Sequence, residues 1–566
     1  MTLKNLFLFA SLFVVWRCGD ISQQKLNNTQ GVISDSAMVV SARAEASAIG
    51  AGILKNGGNV FDAMIGTELA LAVCYPYAGN IGGGGFMVYR MADGSLGSLD
   101  FRERAPASAH KDLYLDDLGN YQQDLSKTGG LAVGVPGTIA GLFAVHEKFG
   151  TLPLDMLIQP VIDLANKGYA VTERQAERIN KYGPIIAETS GKASIYTQRY
   201  QAGDTIKNPA LARTLSTILQ DGADGFYRGP IAQRMAQFIQ EHGGIIQTSD
   251  LADYAAKWRD PVVTQYQNLN VISMGPPSSG GICLSQMLTM LEPFDLKTMG
   301  HHSADYIQHI VEAERRAYAD RSFYLGDPDY VPVPSSQLLA RDYLKQRMAN
   351  FTPEKATLSA DMGYGHLLPY ESSETTHYSI VDQKGNAIAV TTTLNGGYGS
   401  KLFDPELGFF YNNEMDDFSA KPGTPNMFGL VGGQANAIAP GKRMLSSMTP
   451  TIVERDGAFW MSLGTPGGST IITTVLQIIL NTQEFDMTLQ SAINAPRFHH
   501  QWLPDMVQFE PSKFDSLTLK QLQEKGYLIH QKENTIIGKV DAVMRTADGR
   551  LEGGADPRGD DAAIGF

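Results

Sequence analysis

Apolar positions recur with helical spacing through most of residues 40–350, and with strand-like alternation after about residue 370. The spacing predicts helices over Ala44–Leu54, which stops at Asn56-Gly57-Gly58, and over Phe61–Val73. Pro136 marks the start of a helix through Val145. Further helices are expected at Leu154–Lys167, Thr172–Lys181, Pro209–Gln220, Pro230–His242, Cys283–Leu291, Ala304–Tyr324 and Gln337–Asn350. Gly82–Gly85 leads into Phe86–Met91 and Ser95–Phe101, which read as paired strands, and Val262–Met274 reads as a hairpin. Strands follow at Thr376–Asp382, Asn386–Leu394, Trp460–Leu463, near Met506–Phe509 and at Val540–Arg545, with a helix through Ile471–Leu480. The polar, turn-rich stretch Asp361–Glu374 separates two halves. No internal repeat is present, and the mixture of elements predicts layered α/β or α+β packing.

Leu6–Trp16 is apolar apart from Ser11. That is too short to cross a bilayer and fits the core of a signal peptide, here residues 1–18; the alternative is a buried N-terminal helix. Cys18, in Arg17-Cys18-Gly19-Asp20, is a candidate lipid-attachment cysteine, and residues 19–35 read as a polar tether. No later run reaches the roughly 18 apolar residues of a transmembrane helix. The expectation is secretion across the inner membrane, into the periplasm or as a membrane-anchored lipoprotein.

Composition narrows the chemistry. With 43% hydrophobic and 19% charged residues the chain is globular. Its 46 basic against 59 acidic residues give a net charge of −13, which disfavours a nucleic-acid partner. Three cysteines without a C-x-x-C exclude a disulfide framework. There is no G-x-S-x-G elbow, no phosphate-binding loop and no H-E-x-x-H. The reaction is therefore expected to need no metal and no cofactor.

The most informative stretch runs from Glu374-Thr375-Thr376-His377-Tyr378-Ser379 to Thr393-Leu394-Asn395. A loop Gln383-Lys384-Gly385 with Gly385 in the left-handed region pairs Asp382 with Asn386. Ile380 then faces Ile388 and Tyr378 faces Val390, whereas a slip by one residue would break this matching. Carried outward, the register sets Thr375 opposite Thr393. On pattern alone such a pair stabilises a sheet as readily as it does chemistry.

These residues, with Asn412-Asn413-Glu414-Met415-Asp416-Asp417-Phe418-Ser419 and Pro466-Gly467-Gly468, resemble the γ-glutamyltranspeptidases. So do Asn80–Phe86, Asp100-Phe101-Arg102-Glu103, Leu445–Pro450 and Gly553–Asp560, in family order from about residue 35 onward. The resemblance implies the four-layer αββα sandwich (α+β) of N-terminal-nucleophile hydrolases. It further implies a precursor that cuts itself between Glu374 and Thr375 into a large subunit, 36–374, and a small catalytic subunit, 375–566, which stay together as a heterodimer. Thr375 becomes the nucleophile, with its freed α-amine as base, Thr393 orients it, and Gly467 and Gly468 form the oxyanion hole. Arg102, Ser446 and Ser447 match the residues that hold a substrate α-carboxylate; Asn395, Glu414 and Asp417 match those that hold its α-ammonium. Asp416 carries no implied role. Pro422–Gly432 resembles a lid loop, with Phe428 where tyrosine is frequent. The implied partners are glutathione and other γ-glutamyl compounds as donors, and water, amino acids or dipeptides as acceptors. The alternatives are a cephalosporin- or glutaryl-acylase-like amidohydrolase of the same fold and a non-enzymatic binding lipoprotein.

Overall fold

The computed structural model describes residues 29–362, 375–427 and 429–566. The signal segment with Cys18, the start of the tether, most of the Asp361–Glu374 connection and Phe428 lie outside the described residues.

Two seven-stranded antiparallel sheets form the centre. One runs Val32–Ser34, Leu551–Ala555, Asp541–Arg545, Ala458–Gly464, Thr451–Arg455, Leu269–Ser273, Val262–Tyr266. The other runs Ala562–Gly565, Met38–Ser41, Thr376–Val381, Ala387–Thr393, Gly84–Arg90, Leu96–Asp100, Lys257–Arg259. Each sheet mixes strands from before residue 362 and after residue 375, so neither half of the chain owns a sheet.

Strand alternation sorts the side chains into three apolar layers. Val39, Met87, Tyr378, Ile380, Ile388 and Val390 pack outward against the helices Ala44–Lys55 and Val60–Cys74. Val453, Met461, Leu463, Ala542 and Met544 pack outward from the other sheet against Gly280–Leu291, Ala304–Tyr324 and Thr470–Glu484. Met38, Val40, Phe86, Val88, Ile272, Ile452 and Val543 fill the space between the sheets. Three apolar interfaces between four layers make an αββα sandwich. Because both faces of each central strand are covered, the strands read as apolar on both faces.

Most elements fall where the spacing places them. Leu154–Lys167 and Ala304–Tyr324 coincide with the expected helices, and Val262–Tyr266 with Leu269–Ser273 makes the expected hairpin. The helix expected over Gln337–Asn350 is instead two short ones, Ser335–Leu338 and Arg341–Arg347, with Ala340 in the extended region between them. The helix expected to end at Lys181 continues to Ser190 and contains Pro184.

Every residue of Val60–Cys74 is buried, including Glu68. Burial pushes the Glu68 carboxyl from 4.5 up to about 7, partly opposed by the Thr392 and Tyr378 hydroxyls. Between those values the folded chain holds a proton that the unfolded chain has released, so stability is lost as pH rises toward and through 7. Glu68→Gln should therefore melt with the wild type at pH 4. Above pH 7.5 it should be the more stable by ~3 kcal/mol, since each pH step between the unfolded and folded carboxyl values is worth about 1.4 kcal/mol. Thermal midpoints at the two pH values check this, and a variant less stable at high pH refutes it.

Candidate active site

The nucleophile candidate sits at the start of the central hairpin. Thr376 faces Thr392, Tyr378 faces Val390 and Ile380 faces Ile388. The loop closes with Gly385 at φ +85° and with the Asp382 N–H donating to the Asn386 carbonyl at 3.1 Å. This is the register that apolar matching predicts. One step outward, the Thr375 and Thr393 hydroxyl oxygens are 3.5 Å apart, both buried, at the outer limit of a hydrogen bond. Thr393 Oγ1 accepts the Asn395 N–H at 2.7 Å, which leaves its own proton free to point at Thr375.

The run Gly82–Gly85 beside this hairpin is dictated by close packing. A Cβ on Gly83 would lie 2.0 Å from the Thr393 carbonyl oxygen, and one on Gly85 2.5 Å from that of Thr391.

Gly467 and Gly468 form the turn between the Ala458–Gly464 strand and the Thr470–Glu484 helix, at φ +139° and +54°. Neither amide donates to an acceptor among the described residues. Two free N–H groups at a helix N-terminus suit an anion. Gly468 lines one cavity together with Arg102, Thr375, Thr393, Asn395, Glu414, Asp417, Ser446 and Ser447. Gly467 adjoins that cavity in sequence but does not line it, and Glu374 lies outside the described residues.

Arg102 follows the Leu96–Asp100 strand and is 1% exposed. Its guanidinium pairs with Glu414, and with Asp417 at 2.6 Å, while Glu103 stands 3.6 Å away. Glu414 and Asp417 are the ends of one 3-10 turn, Glu414–Asp417. Burial pushes the Glu103 carboxyl up to about 8 and those of Glu414 and Asp417 above their ordinary range, against the pull of Arg102. Burial alone would lower the Arg102 value; Glu414, Asp417 and Glu103 more than reverse this and keep it charged. The two sets that the resemblance separates into carboxylate and ammonium binders are thus bonded directly to each other.

Asn395 adopts φ +69°, a conformation asparagine tolerates. Its Nδ2 donates to the Asn413 carbonyl at 2.9 Å, and its Oδ1 accepts nothing among the described residues. In the loop at 422–432, the described residues on either side of position 428 reach this point, where the Asn395 Nδ2 also donates to the Met427 sulfur at 3.5 Å. Pro425 bridges Val431, Asn426 Nδ2 donates to Asp417 at 3.0 Å, and the Met427 N–H donates to Asp416 at 2.9 Å. Asp416, with no role in the sequence reading, is therefore the tie that seats the loop. It also accepts the Ser126 hydroxyl at 2.6 Å, and burial pushes it up to about 6.

Sequence reasoning also passed over His377. Burial pushes its imidazole down to about 3, so it is neutral. It bridges Thr391 at 2.9 Å and Ser379 at 3.1 Å, and Ser462 of the opposite sheet donates to Ser379. Its place two residues after Thr375, on the same face of an alternating strand, was the available signal.

The comparisons with known proteins agree with this geometry. A sequence profile of the gamma-glutamyltranspeptidase family matches residues 46–566. The chain is 47% identical over 534 residues to a glutathione hydrolase proenzyme of Escherichia coli, spanning 94% of this chain and 92% of that one. Among solved structures it superimposes on a cephalosporin acylase from Bacillus halodurans with a TM-score of 0.84 at 26% identity, covering 97% and 99% of the two chains. A Helicobacter pylori gamma-glutamyltranspeptidase chain aligns with a TM-score of 0.56 at 42% identity over 60% of this chain and 98% of that one. A match over most of the chain places it: the protein belongs to the gamma-glutamyltranspeptidase family.

Proposed function

We propose that the protein is an exported enzyme that cuts itself before Thr375 and then breaks γ-glutamyl amide bonds, with glutathione as the type substrate. The observation that carries this is the convergence in one cavity of the Thr375 hydroxyl, a buried guanidinium, and the buried Glu414 and partly exposed Asp417 carboxylates.

A threonine hydroxyl needs a base. Scission between Glu374 and Thr375 frees an α-amine with an ordinary pKa of about 7.7–8.0, suited to accept the hydroxyl proton near neutrality. Thr375 Oγ1 attacks the γ-carbonyl carbon, Thr393 orients it, and the tetrahedral oxyanion is received by the Gly467 and Gly468 amides. Collapse breaks the C–N bond, the leaving amine takes a proton from the ammonium, and a γ-glutamyl ester remains on Thr375. Water hydrolyses this ester to glutamate, or the amine of an amino acid or dipeptide takes the acyl group. None of these steps calls on a cofactor. The subunits 36–374 and 375–566 would stay joined, because each sheet draws strands from both.

The cavity holds about 20 Å³, roughly one water. A γ-glutamyl headgroup is larger than this, so the lining must move to admit it, and parting the Arg102 ion pairs would free the groups that meet its two charged ends. A zwitterion accomplishes this without a net change of charge: its α-carboxylate takes Arg102, with Ser446 and Ser447, and its α-ammonium takes Glu414, Asp417 and Asn395. A glutaryl group, by contrast, would take Arg102 and leave the buried Glu414 and the partly exposed Asp417 carboxylates without a cation, which costs a few kcal/mol.

γ-Glutamyl-p-nitroanilide should accordingly exceed glutaryl-p-nitroanilide in kcat/KM by about 10²-fold or more. Equal rates would overturn the assignment in favour of the acylase-like alternative, and no turnover of either by cleaved protein would favour a binding protein. Export would place the enzyme in the periplasm, free or anchored at Cys18.

A further inference from the structure

Arg321 lies in the last turn of the Ala304–Tyr324 helix and is 4% exposed. Its Nε donates to the Ser279 hydroxyl at 2.9 Å and its Nη2 to the Ser447 hydroxyl at 3.1 Å. Ser279 in turn donates through both its N–H and its hydroxyl to the Ser446 carbonyl, at 2.8 and 2.7 Å. One guanidinium, itself not among the cavity-lining residues, thus ties down the Ser446-Ser447 segment whose two serines line the cavity.

Its charge is unusual among the buried arginines. Arg102, Arg315, Arg316, Arg443 and Arg497 each hold a carboxylate within 4 Å. Among the described residues Arg321 has none. Asp417, at the cavity, attracts it from beyond 4 Å; a buried cation without a carboxylate in contact is still costly, and the helix C-terminus offsets only part of that cost. A fold that retains such a group gains from it where an anion arrives.

The direction of the hydrogen bond says where. A guanidinium only donates, so Ser447 Oγ accepts from Arg321 and its own proton is free to point into the cavity. We propose that Arg321 is the second cation of the site: a positioning residue that orients the Ser447 hydroxyl and adds to that of Arg102 a charge that selects substrates carrying an α-carboxylate. This rests on the γ-glutamyl reading of the pocket and assigns its carboxylate specificity to a residue outside the cavity lining.

The test uses self-cleaved enzyme and three p-nitroanilides. γ-Glutamyl carries both end groups, glutaryl only the carboxylate, and 4-aminobutanoyl only the ammonium. Arg321→Gln should raise KM about 10–100-fold for the two carboxylate substrates, with kcat within about threefold, and leave kcat/KM for 4-aminobutanoyl within about threefold. Arg321→Lys, which keeps the charge but not the two-point fork, should recover part of the loss. If Arg321→Gln fails to fold or to self-cleave, Arg321→Lys alone carries the test through the same substrate dependence. Equal losses on all three substrates, or none, would overturn the proposal and leave Arg321 a structural tie. A wild-type enzyme that already ignores the α-carboxylate would instead overturn the pocket reading, and the proposal with it.

Discussion

Thr375→Ala is expected to accumulate as one uncut chain and to turn over γ-glutamyl-p-nitroanilide at least about 10⁴-fold more slowly than wild type, the scale seen when a covalent nucleophile is removed. Two losses coincide because one hydroxyl serves two reactions. It attacks its own preceding carbonyl to release the chain end, and later attacks the substrate amide. Thr375→Ser keeps the hydroxyl and should still be cut, more slowly, with part of the activity retained. The two variants separate chemistry from folding, since truncation of Thr375 removes one hydroxyl, hydrogen-bonded among the described residues to Thr393, and one methyl group. Denaturing gels and end-group sequencing read the result: wild type should yield a fragment starting Thr-Thr-His-Tyr-Ser, and Thr375→Ala none. A Thr375→Ala protein that is both cleaved and active would sink the assignment.

That Thr375 could be set opposite Thr393 from the sequence follows from local physics, whereas its role as nucleophile is what the family resemblance implies. Ile380 against Ile388 and a left-handed Gly385 fix the hairpin register within some twenty residues, and Thr375 opposite Thr393 is a consequence. The long helices were legible for the same reason, since their periodicity is local. The edge and junction strands were not. Met38–Ser41 and Ala562–Gly565 are four residues each, too short to show alternation, yet one lies beside the Thr376–Val381 strand and the other beside it in turn. Nor could spacing reveal that Arg102 is bonded to Glu414 and Asp417, more than 300 positions away. The motifs mark the three residues; only the fold shows that Arg102 is paired with Glu414 and Asp417. Arg321 escaped notice because its partner Ser447 lies 126 positions away, and Asp416 received no role because its bonds to Ser126 and to the Met427 amide appear only once the loop is folded.

The second large effect is expected at Arg102. Arg102→Met removes the guanidinium that, among the described residues, pairs with both Glu414 and Asp417, and breaking a buried pair from one side typically costs ~3–5 kcal/mol, because the remaining charge is left without compensation. The cost should depend on pH. Burial already raises both carboxyl values against the pull of Arg102, and without that pull they rise further. The folded variant then takes up protons that the unfolded chain does not hold, so its deficit relative to wild type is small at pH 4 and grows as pH rises toward 8. Thermal midpoints across that range should diverge steadily, with wild type the more stable at the alkaline end. Activity should fall more steeply than stability. At pH 8 and a temperature where the variant remains folded, KM for γ-glutamyl-p-nitroanilide should rise about 10²-fold or more, since the α-carboxylate loses a two-point partner. Arg102→Lys should soften the stability loss more than the KM effect, because an ammonium restores charge but not the fork. A deficit of the same size at pH 4 and pH 8 would mean that Arg102 supports the fold by packing alone. In that case the exchange of the internal Arg102 ion pairs for contacts to the two charged ends of the substrate, on which the zwitterion preference depends, would have no basis.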